Sequence, residues 1–380
     1  MNSSATTRRN FLKKSIAGGL GLAAGWRTAS LGGMAHADDV DYTATVGITK
    51  GDDRADNAFR ALQMFKKEIA AAIDNKRIIV KPNFVYYSTL LSCTHVSWVE
   101  GVLEFLKSIG KTNIIIAESS AAGSAMAGYD LNNYWSLTKR YPVKLTDLNQ
   151  EGSANAQIWQ AGRGNDTMRT IRISRLYLNP NNFIISCAPI KTHNTAVVTL
   201  SLKNIAMSAP IIDIGTAWSQ TGVRADKAWM HGSGGSAPGN YQVLNDNVYR
   251  MAKVGIHPDL AVIDGYQGME GNGPVSGTGV KVPQKLGIVS LDWLAADRVG
   301  LALMGSNNYR LLNTQPYPAC LNYCWQAKMG EWDINKIRVI GETIADNLLK
   351  DTQGNPVPGG YAANPTLDSS QLGLDPLKRE

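Results

Sequence analysis

The sequence predicts an α/β fold: a mainly parallel sheet flanked by helices, with an irregular Gly-rich insertion. Two observations predict it. Short, continuous runs of β-branched and apolar residues recur along the chain, as buried parallel strands require. Helical periodicity of three and four lies between those runs. The 380 residues, 44% hydrophobic and 18% charged, have ordinary globular composition and are enough to bury a large core.

Thr7-Arg8-Arg9-Asn10-Phe11-Leu12-Lys13 precedes an apolar, Gly/Ala-rich stretch from Ser15 to Gly25. Ala35-His36-Ala37 then offers a small-x-small cleavage site before Asp38-Asp39. Basic, apolar and small-residue parts in that order make a secretory signal. The Arg8-Arg9 pair resembles a twin-arginine signal, cleaved after Ala37, so the twin-arginine translocase is the expected export partner. That route carries folded cargo, much of it loaded with a cofactor. Residues 1–37 hold five basic groups and no acid. Without them 33 basic and 31 acidic groups remain, too even a balance for a nucleic-acid partner. No later run is long and apolar enough to span a bilayer. The expectation is a periplasmic protein with no membrane span after cleavage.

The body, residues 38–350, reads as one α/β domain. Phe59, Leu62, Phe65, Ile69 and Ile73 mark a first helix, and Arg77–Lys81 a strand stopped by Pro82-Asn83. Val96, Val99, Leu103 and Leu106 mark a helix that Gly110 ends. Asn113–Ala117 is the next strand, and Phe183–Cys187 follows the turn Asn179-Pro180-Asn181. Ser208 to Asn240 is rich in Gly, Ser and Ala and poorly periodic, an insertion or loop near the site. Leu260–Asp264, Leu286–Ser290 and Ile337–Ile340 complete the strands, and Asp292–Met304 is a helix closed by Gly305. Residues 351–380, with Pro356, Pro358 and Pro365, read as an irregular tail.

Ligands of open parallel sheets bind outside the carboxyl ends of the strands. Lys81 and Asn83, Glu118, Lys191 and His193, Asp264, and Asp292 follow five of the runs. Lys191-Thr192-His193 is the sharpest feature, with Ser201-Leu202-Lys203-Asn204 eight residues on. The lysines suit a carboxylate or phosphate, and the imidazole suits acid–base work or a metal. The alternative is a solvated loop with surface lysines and a structural histidine. Asp264-Gly265 leads to Gly268-Met269-Glu270-Gly271-Asn272-Gly273-Pro274, where backbone amides could cradle an anion and Asp264 and Glu270 could serve as base or hold a hard cation. A tight connecting turn is the plainer reading of that loop. The catalytic candidates are therefore His193, Asp264 and Glu270, which are also the metal candidates. The substrate-binding candidates are Lys81, Asn83, Lys191, Lys203 and Asn204. His231, before Gly232, could close over a ligand; His95 reads as a helix cap and His257 as a turn residue. There is no P-loop, no dinucleotide fingerprint and no nucleophile elbow. Cys93, Cys187, Cys320 and Cys324 form no Cys-x-x-Cys pair, so an iron–sulfur cluster is not expected, while a disulfide stays open in the periplasm.

Lys81-Pro82-Asn83, Lys191-Thr192-His193, Ser201–Asn204, Asp264-Gly265 with Met269–Pro274, and Asp292 through Asp297 to Met304-Gly305 occur in that order. In this order they resemble the bacterial and archaeal "domain of unknown function 362" family over about Lys81 to Gly305. The resemblance implies the α/β fold and a shared site at these motifs, and names no activity. Some relatives carry an iron–sulfur module whose cysteines this chain lacks. There is a fainter likeness to the nickel-dependent lactate racemase group, whose Pro-His segment and Gly-rich lysine loop resemble Lys191–His193 and Ser201–Asn204. The glycines of that loop are replaced here by Thr199-Leu200-Ser201-Leu202. The sequence thus points to an enzyme of unassigned reaction, acting on a small anionic substrate with a metal or other cofactor at the strand ends. The alternatives are a non-catalytic periplasmic protein that binds an anion or cofactor or assists a redox partner, and a structural protein whose motifs only brace loops.

Overall fold

The computed structural model describes residues 41–160, 167–213, 224–232, 241–305 and 319–362. The signal segment with Arg8, Arg9 and the Ala37 cleavage site lies outside the described residues. So do residues 214–223 and 233–240 of the insertion and residues 363–380 of the tail.

In chain order the strands are β1 (Ala44–Lys50), β2 (Arg77–Lys81), β3 (Ile114–Glu118), β4 (Val143–Asp147), β5 (Ser153–Gln160), β6 (Thr167–Ser174), β7 (Asn182–Ser186), β8 (Pro189–His193), β9 (Val197–Thr199), β10 (Leu260–Glu270), β11 (Thr278–Gly279), β12 (Leu286–Ser290) and β13 (Ile337–Gly341). The helices are α1 (Arg54–Gln63), α2 (Lys66–Ile73), α3 (Val96–Ser108), α4 (Ala125–Leu131), α5 (Trp135–Thr138), α6 (Ser201–Ala206), α7 (Asp226–Trp229), α8 (Tyr241–Lys253), α9 (Trp293–Met304) and α10 (Ala319–Gln326).

The main sheet runs β13-β1-β12-β10-β7-β2-β3-β4, with β8, β9 and β11 attached beside β10. Along that path every strand is parallel except β12, which opposes both β1 and β10. β5 and β6 form a separate antiparallel hairpin. The fold is therefore α/β with a mostly parallel sheet, as the continuous apolar runs require. The runs Arg77–Lys81 and Leu286–Ser290 are strands with those same ends, and the others shift by a residue or extend.

Each parallel strand sends alternate side chains into two cores. Ile79, Ile184, Ala261 and Ile263 face one core, which also takes buried residues of α6, α8, α9 and α10. Ile78, Val80, Phe183, Ile185, Leu260 and Val262 face the other, beneath α1, α2 and α3. The periodic stretch Phe59–Ile73 is two helices: α1 ends at Gln63, and Phe65 caps α2. α3 starts at the His95 cap, whose Nδ1 accepts from the Ser97 amide at 3.2 Å. α9 starts at Asp292, whose carboxylate accepts from the Ala295 amide, and ends at Gly305.

α1 crosses α3 where Gly101 meets Ala55 and Ala58. A Cβ on Gly101 would stand 2.1 Å from the Ala55 carbonyl oxygen and 2.8 Å from the Ala58 Cβ. Gly101→Ala must push the two helices apart, and overpacking of this kind costs about 1–3 kcal/mol. Urea denaturation should show that loss of stability; an unchanged midpoint would mean the crossing is loose.

Residues 351–362 are turns without regular structure. Tyr361 is nonetheless fully buried, and its hydroxyl donates to the Gln284 Oε1 at 2.7 Å. No helix among the described residues is long and apolar enough to cross a membrane.

Candidate cationic cleft at the carboxyl edge of the sheet

A cleft of about 490 Å³ opens beyond the carboxyl ends of β2 and β3 and beside the β8–β9 turn. Lys81, Asn83, Glu118, His193, Lys203, Asn204, Lys227 and His231 all contribute to its wall. Placement at this edge follows from the parallel sheet: every crossover brings the next strand's end to the same side.

The floor is one hydrogen-bonded network. The Lys81 ammonium sits 2.8 and 3.0 Å from the two Glu118 oxygens and donates to the Asn204 Oδ1 at 2.7 Å. Glu118 also accepts from the backbone amides of Phe84 (2.6 Å) and Ser119 (2.7 Å). Asn83 donates to the same Asn204 oxygen at 2.9 Å. The Asn204 amide nitrogen donates to the Lys81 carbonyl and to the Ser186 hydroxyl. Burial lowers the Lys81 pKa, and Glu118 works against that by holding the proton.

Lys191 stands behind this floor, not in the cleft wall. Its ammonium donates to the Asn83 Oδ1 at 2.8 Å and to the Ser92 carbonyl at 2.5 Å, so it positions Asn83. Burial pushes its pKa down to about 7.

The Ser-Leu-Lys-Asn motif is explained by Asp297 on α9. One Asp297 oxygen accepts from the Ser201 amide (2.7 Å) and hydroxyl (2.5 Å), the other from the Leu202 amide (3.0 Å). Leu202 is buried in the core and Asn204 is pinned to the floor, so Lys203 between them is held facing the cleft. Its side chain is only 8% exposed. Among the described residues, its amine has no hydrogen-bond or ion-pair partner within reach. Burial, helped by the neighbouring lysines, pushes its pKa down to about 7. Asp297 is displaced the other way, up to about 7, because burial outweighs its hydrogen bonds.

His193 closes β8. Its Nδ1 accepts from the amides of Thr195 (2.9 Å) and Ala196 (3.0 Å), shaping the β8–β9 turn. With Nδ1 an acceptor, the neutral ring carries its proton on Nε2. Burial drives the pKa far below the usual value, and the Lys203 ammonium adds to the effect. His231 stacks near it, ring centroids 6.5 Å apart, and burial with Lys203 pushes its pKa to about 3.

Lys227 was hidden in the poorly periodic insertion. Its ammonium donates to the Ser119 carbonyl (2.7 Å), the Ser119 hydroxyl (2.8 Å) and the Met207 carbonyl (2.7 Å). Burial pulls its pKa to about 7, whereas three oxygens around one nitrogen favour the ammonium; we assign it as charged. The one available signal was spacing: Lys227 lies four residues before His231, one helical turn away.

The remaining candidates fall elsewhere. Asp264 does not end its strand, because β10 runs on to Glu270. It pairs in register with Gly287 and Pro189, and its carboxylate faces Arg54 at 3.5 Å. Burial raises its pKa, and Arg54 opposes that. Glu270 accepts from the Ala362 amide at 2.7 Å. Neither is part of the cleft wall, so His193, Asp264 and Glu270 do not converge. Among the described residues no three His, Cys, Asp or Glu side chains come together as metal ligands. Asp292 is at the opposite edge of the sheet, because β12 is the strand that runs backwards. Two amides of the glycine loop after Glu270 are taken: Gly271 donates to the Ala362 carbonyl and Gly273 to the Gly271 carbonyl. Its closeness is steric instead. A Cβ on Gly273 would stand 2.2 Å from the Thr192 carbonyl oxygen, so only glycine lets this loop lie on β8 and bring Asn272–Ser276 to the cleft. Cys93, Cys187, Cys320 and Cys324 are all buried free thiols.

Fold and cleft together define an α/β protein with a buried, lysine-lined pocket at the carboxyl edge of a mostly parallel sheet. The chain belongs to the family described as domain of unknown function DUF362, whose sequence model matches residues 78–302. That range agrees with the motif-based resemblance over about Lys81 to Gly305. The chain is also 23% identical over 216 residues to the thylakoid-associated protein sll1697 of Synechocystis sp., covering 56% of this chain. It spans 58% of the length of that relative. Among solved structures, a Thermotoga maritima protein is similar at 12% identity with a TM-score of 0.39, over 65% of this chain and 58% of that one.

Proposed function

We propose that this protein is a periplasmic enzyme, exported through the twin-arginine translocase, that acts on a small anion bearing two or more negative charges. The observation that carries the reading is the charge balance of the cleft. Three lysines, Lys81, Lys203 and Lys227, share a buried wall with one carboxylate, Glu118, and that carboxylate is committed to Lys81. An ammonium buried without a counter-charge costs several kcal/mol. A doubly charged ligand supplies the missing charge, raises the lysine pKa values and converts that cost into affinity. Lys203 makes the direct contact, since Lys81 and Lys227 already have their acceptors. His193, neutral and with its proton on Nε2, donates a hydrogen bond to the bound anion. Asp264 and Glu270 stand away from this wall and have no part in the reading. A cofactor bearing a phosphate or carboxylate would be held by the same lysines. Export rests on Arg8, Arg9 and the Ala35-His36-Ala37 site.

Thermal melting and calorimetry on the mature protein test it with succinate, inorganic phosphate and 2-oxoglutarate, against uncharged succinamide. A dianion at one hundred times its Kd should stabilise the fold by about 2.7 kcal/mol. Binding should take up protons above neutral pH and vanish in Lys203→Met. No stabilisation by any dianion would refute the reading. Binding with no product from any turnover assay would favour the non-catalytic anion-binding protein.

A further inference from the structure

We propose that Lys203 is a nucleophile whose Nζ condenses with the carbonyl carbon of a small 2-oxo acid to form an imine; this deepens, and rests on, the anion-cleft reading. Four lysines are buried around this site, and three of them have acceptors. Lys81 is fixed by Glu118 and Asn204, Lys191 by Asn83 and the Ser92 carbonyl, and Lys227 by three oxygens. Lys203 alone of the four has no hydrogen-bond partner among the described residues, although its amine borders the same cleft. A lysine kept only for charge could share acceptors as the others do. An amine kept for bond formation needs its lone pair unencumbered.

The backbone around it is rigid. Asp297 holds Ser201 and Leu202 by three hydrogen bonds on one side, and Asn204 is held by Lys81, Asn83 and Ser186 on the other. The nucleophile is thus mounted between two anchored residues, which is the preorganisation that covalent catalysis requires. Its neighbours are cationic, and this together with burial holds the amine near half-deprotonation at neutral pH, with a pKa of about 7. His193 lines the same cleft wall as Lys203 and presents its Nε2–H there as a hydrogen-bond donor.

The neutral Lys203 amine adds its lone pair to the carbonyl carbon, and the carbonyl oxygen takes a proton while the nitrogen loses one. The carbinolamine hydroxyl then takes a proton from solvent, with the His193 Nε2–H donating a hydrogen bond to it, and leaves as water. Nitrogen's lone pair forms the C=N bond, giving a protonated imine. No oxidant or reductant is consumed. The substrate carboxylates are held in the field of Lys81 and Lys227. The ligand class is therefore a 2-oxo acid with a second acidic group.

The test treats the mature protein with 2-oxoglutarate and sodium cyanoborohydride, followed by intact mass and peptide mapping. The expected result is one adduct per chain, equal to the keto acid less one oxygen, on the peptide carrying Lys203. Excess succinate should suppress it. Lys203→Arg offers no amine that can form the imine and should lose the adduct. Succinate binding without any adduct, or adducts spread over surface lysines such as Lys144, would overturn the nucleophile and leave the anion cleft standing. Failure of both succinate and 2-oxoglutarate to bind would overturn the anion cleft and the nucleophile together.

Discussion

Lys203→Met is expected to yield a protein that is more stable than the original and blind to anions. Lysine ordinarily titrates near 10.5, and in this cleft at about 7. That displacement corresponds to a cost of about 5 kcal/mol for holding the charged lysine there, most of it from burial and the rest from the neighbouring lysines. Methionine keeps the apolar stem and removes the charge, so a gain of about 2–4 kcal/mol is expected below neutral pH. The pH dependence follows from the proton count. Below about 7 both folded and unfolded chains hold the Lys203 proton, and the cost is present in full. Between about 7 and 10.5 the unfolded chain still holds a proton that the folded chain has released, so the stability of the original protein rises with pH. The gap between variant and original should close across that window. Urea denaturation of both proteins from about pH 6 to about pH 10 measures it. A gap independent of pH would show that Lys203 is not titrating there. Function held against stability is the expected trade at a binding site.

Glu118→Gln is the second large effect, in the opposite direction. The variant leaves the Lys81 ammonium buried with Asn204 and a neutral amide, where a carboxylate had faced it at 2.8 Å. Removing one member of a buried pair costs about 3–5 kcal/mol. The same carboxylate accepts from the Phe84 and Ser119 amides, so the turns after β2 and β3 should loosen with it. Adding Lys81→Met to Glu118→Gln removes the stranded charge and should recover part of the loss. A double-mutant cycle by urea denaturation reads the coupling. Additive losses would mean that the pair is not what holds the floor.

Much of this was legible in the sequence, for physical reasons that also mark where legibility stops. β2 and β12 are doubly covered, so they are continuous apolar runs with the predicted ends. β1 (Ala44–Lys50) and β4 (Val143–Asp147) mix Thr, Lys and Gly or Asp with their apolar residues and gave no such signal. Lys81, Asn83, His193, Lys203 and Asn204 do meet at one cleft, because strand ends and the turns after them are fixed by the parallel sheet. Asp264 and Asp292 miss it for different reasons. The first lies within a strand that continues to Glu270, and the length of a strand is set by its partners β8 and β11. The second follows a strand whose direction the residues do not encode: Leu286–Ser290 reads alike either way along the sheet. Lys227 comes from a segment without periodicity, and what brings it to the cleft is the position of Ser119 and Met207, far from it in sequence.

The place of β1 has a consequence for the order in which the chain can fold. β1 lies between β12 and β13, with Gly47 opposite Val289 and Ala44 opposite Ile337. A ribosome releases β1 early and both of its neighbours hundreds of residues later, so the first strand made is among the last to be paired. Closing contacts across so much chain is slow. During synthesis the half of the sheet built on β2, β3, β4 and β7 can assemble first, while β1 waits with both edges open. Chaperones that shield unpaired strands would find their target in β1 until first β12 and then β13 have been made.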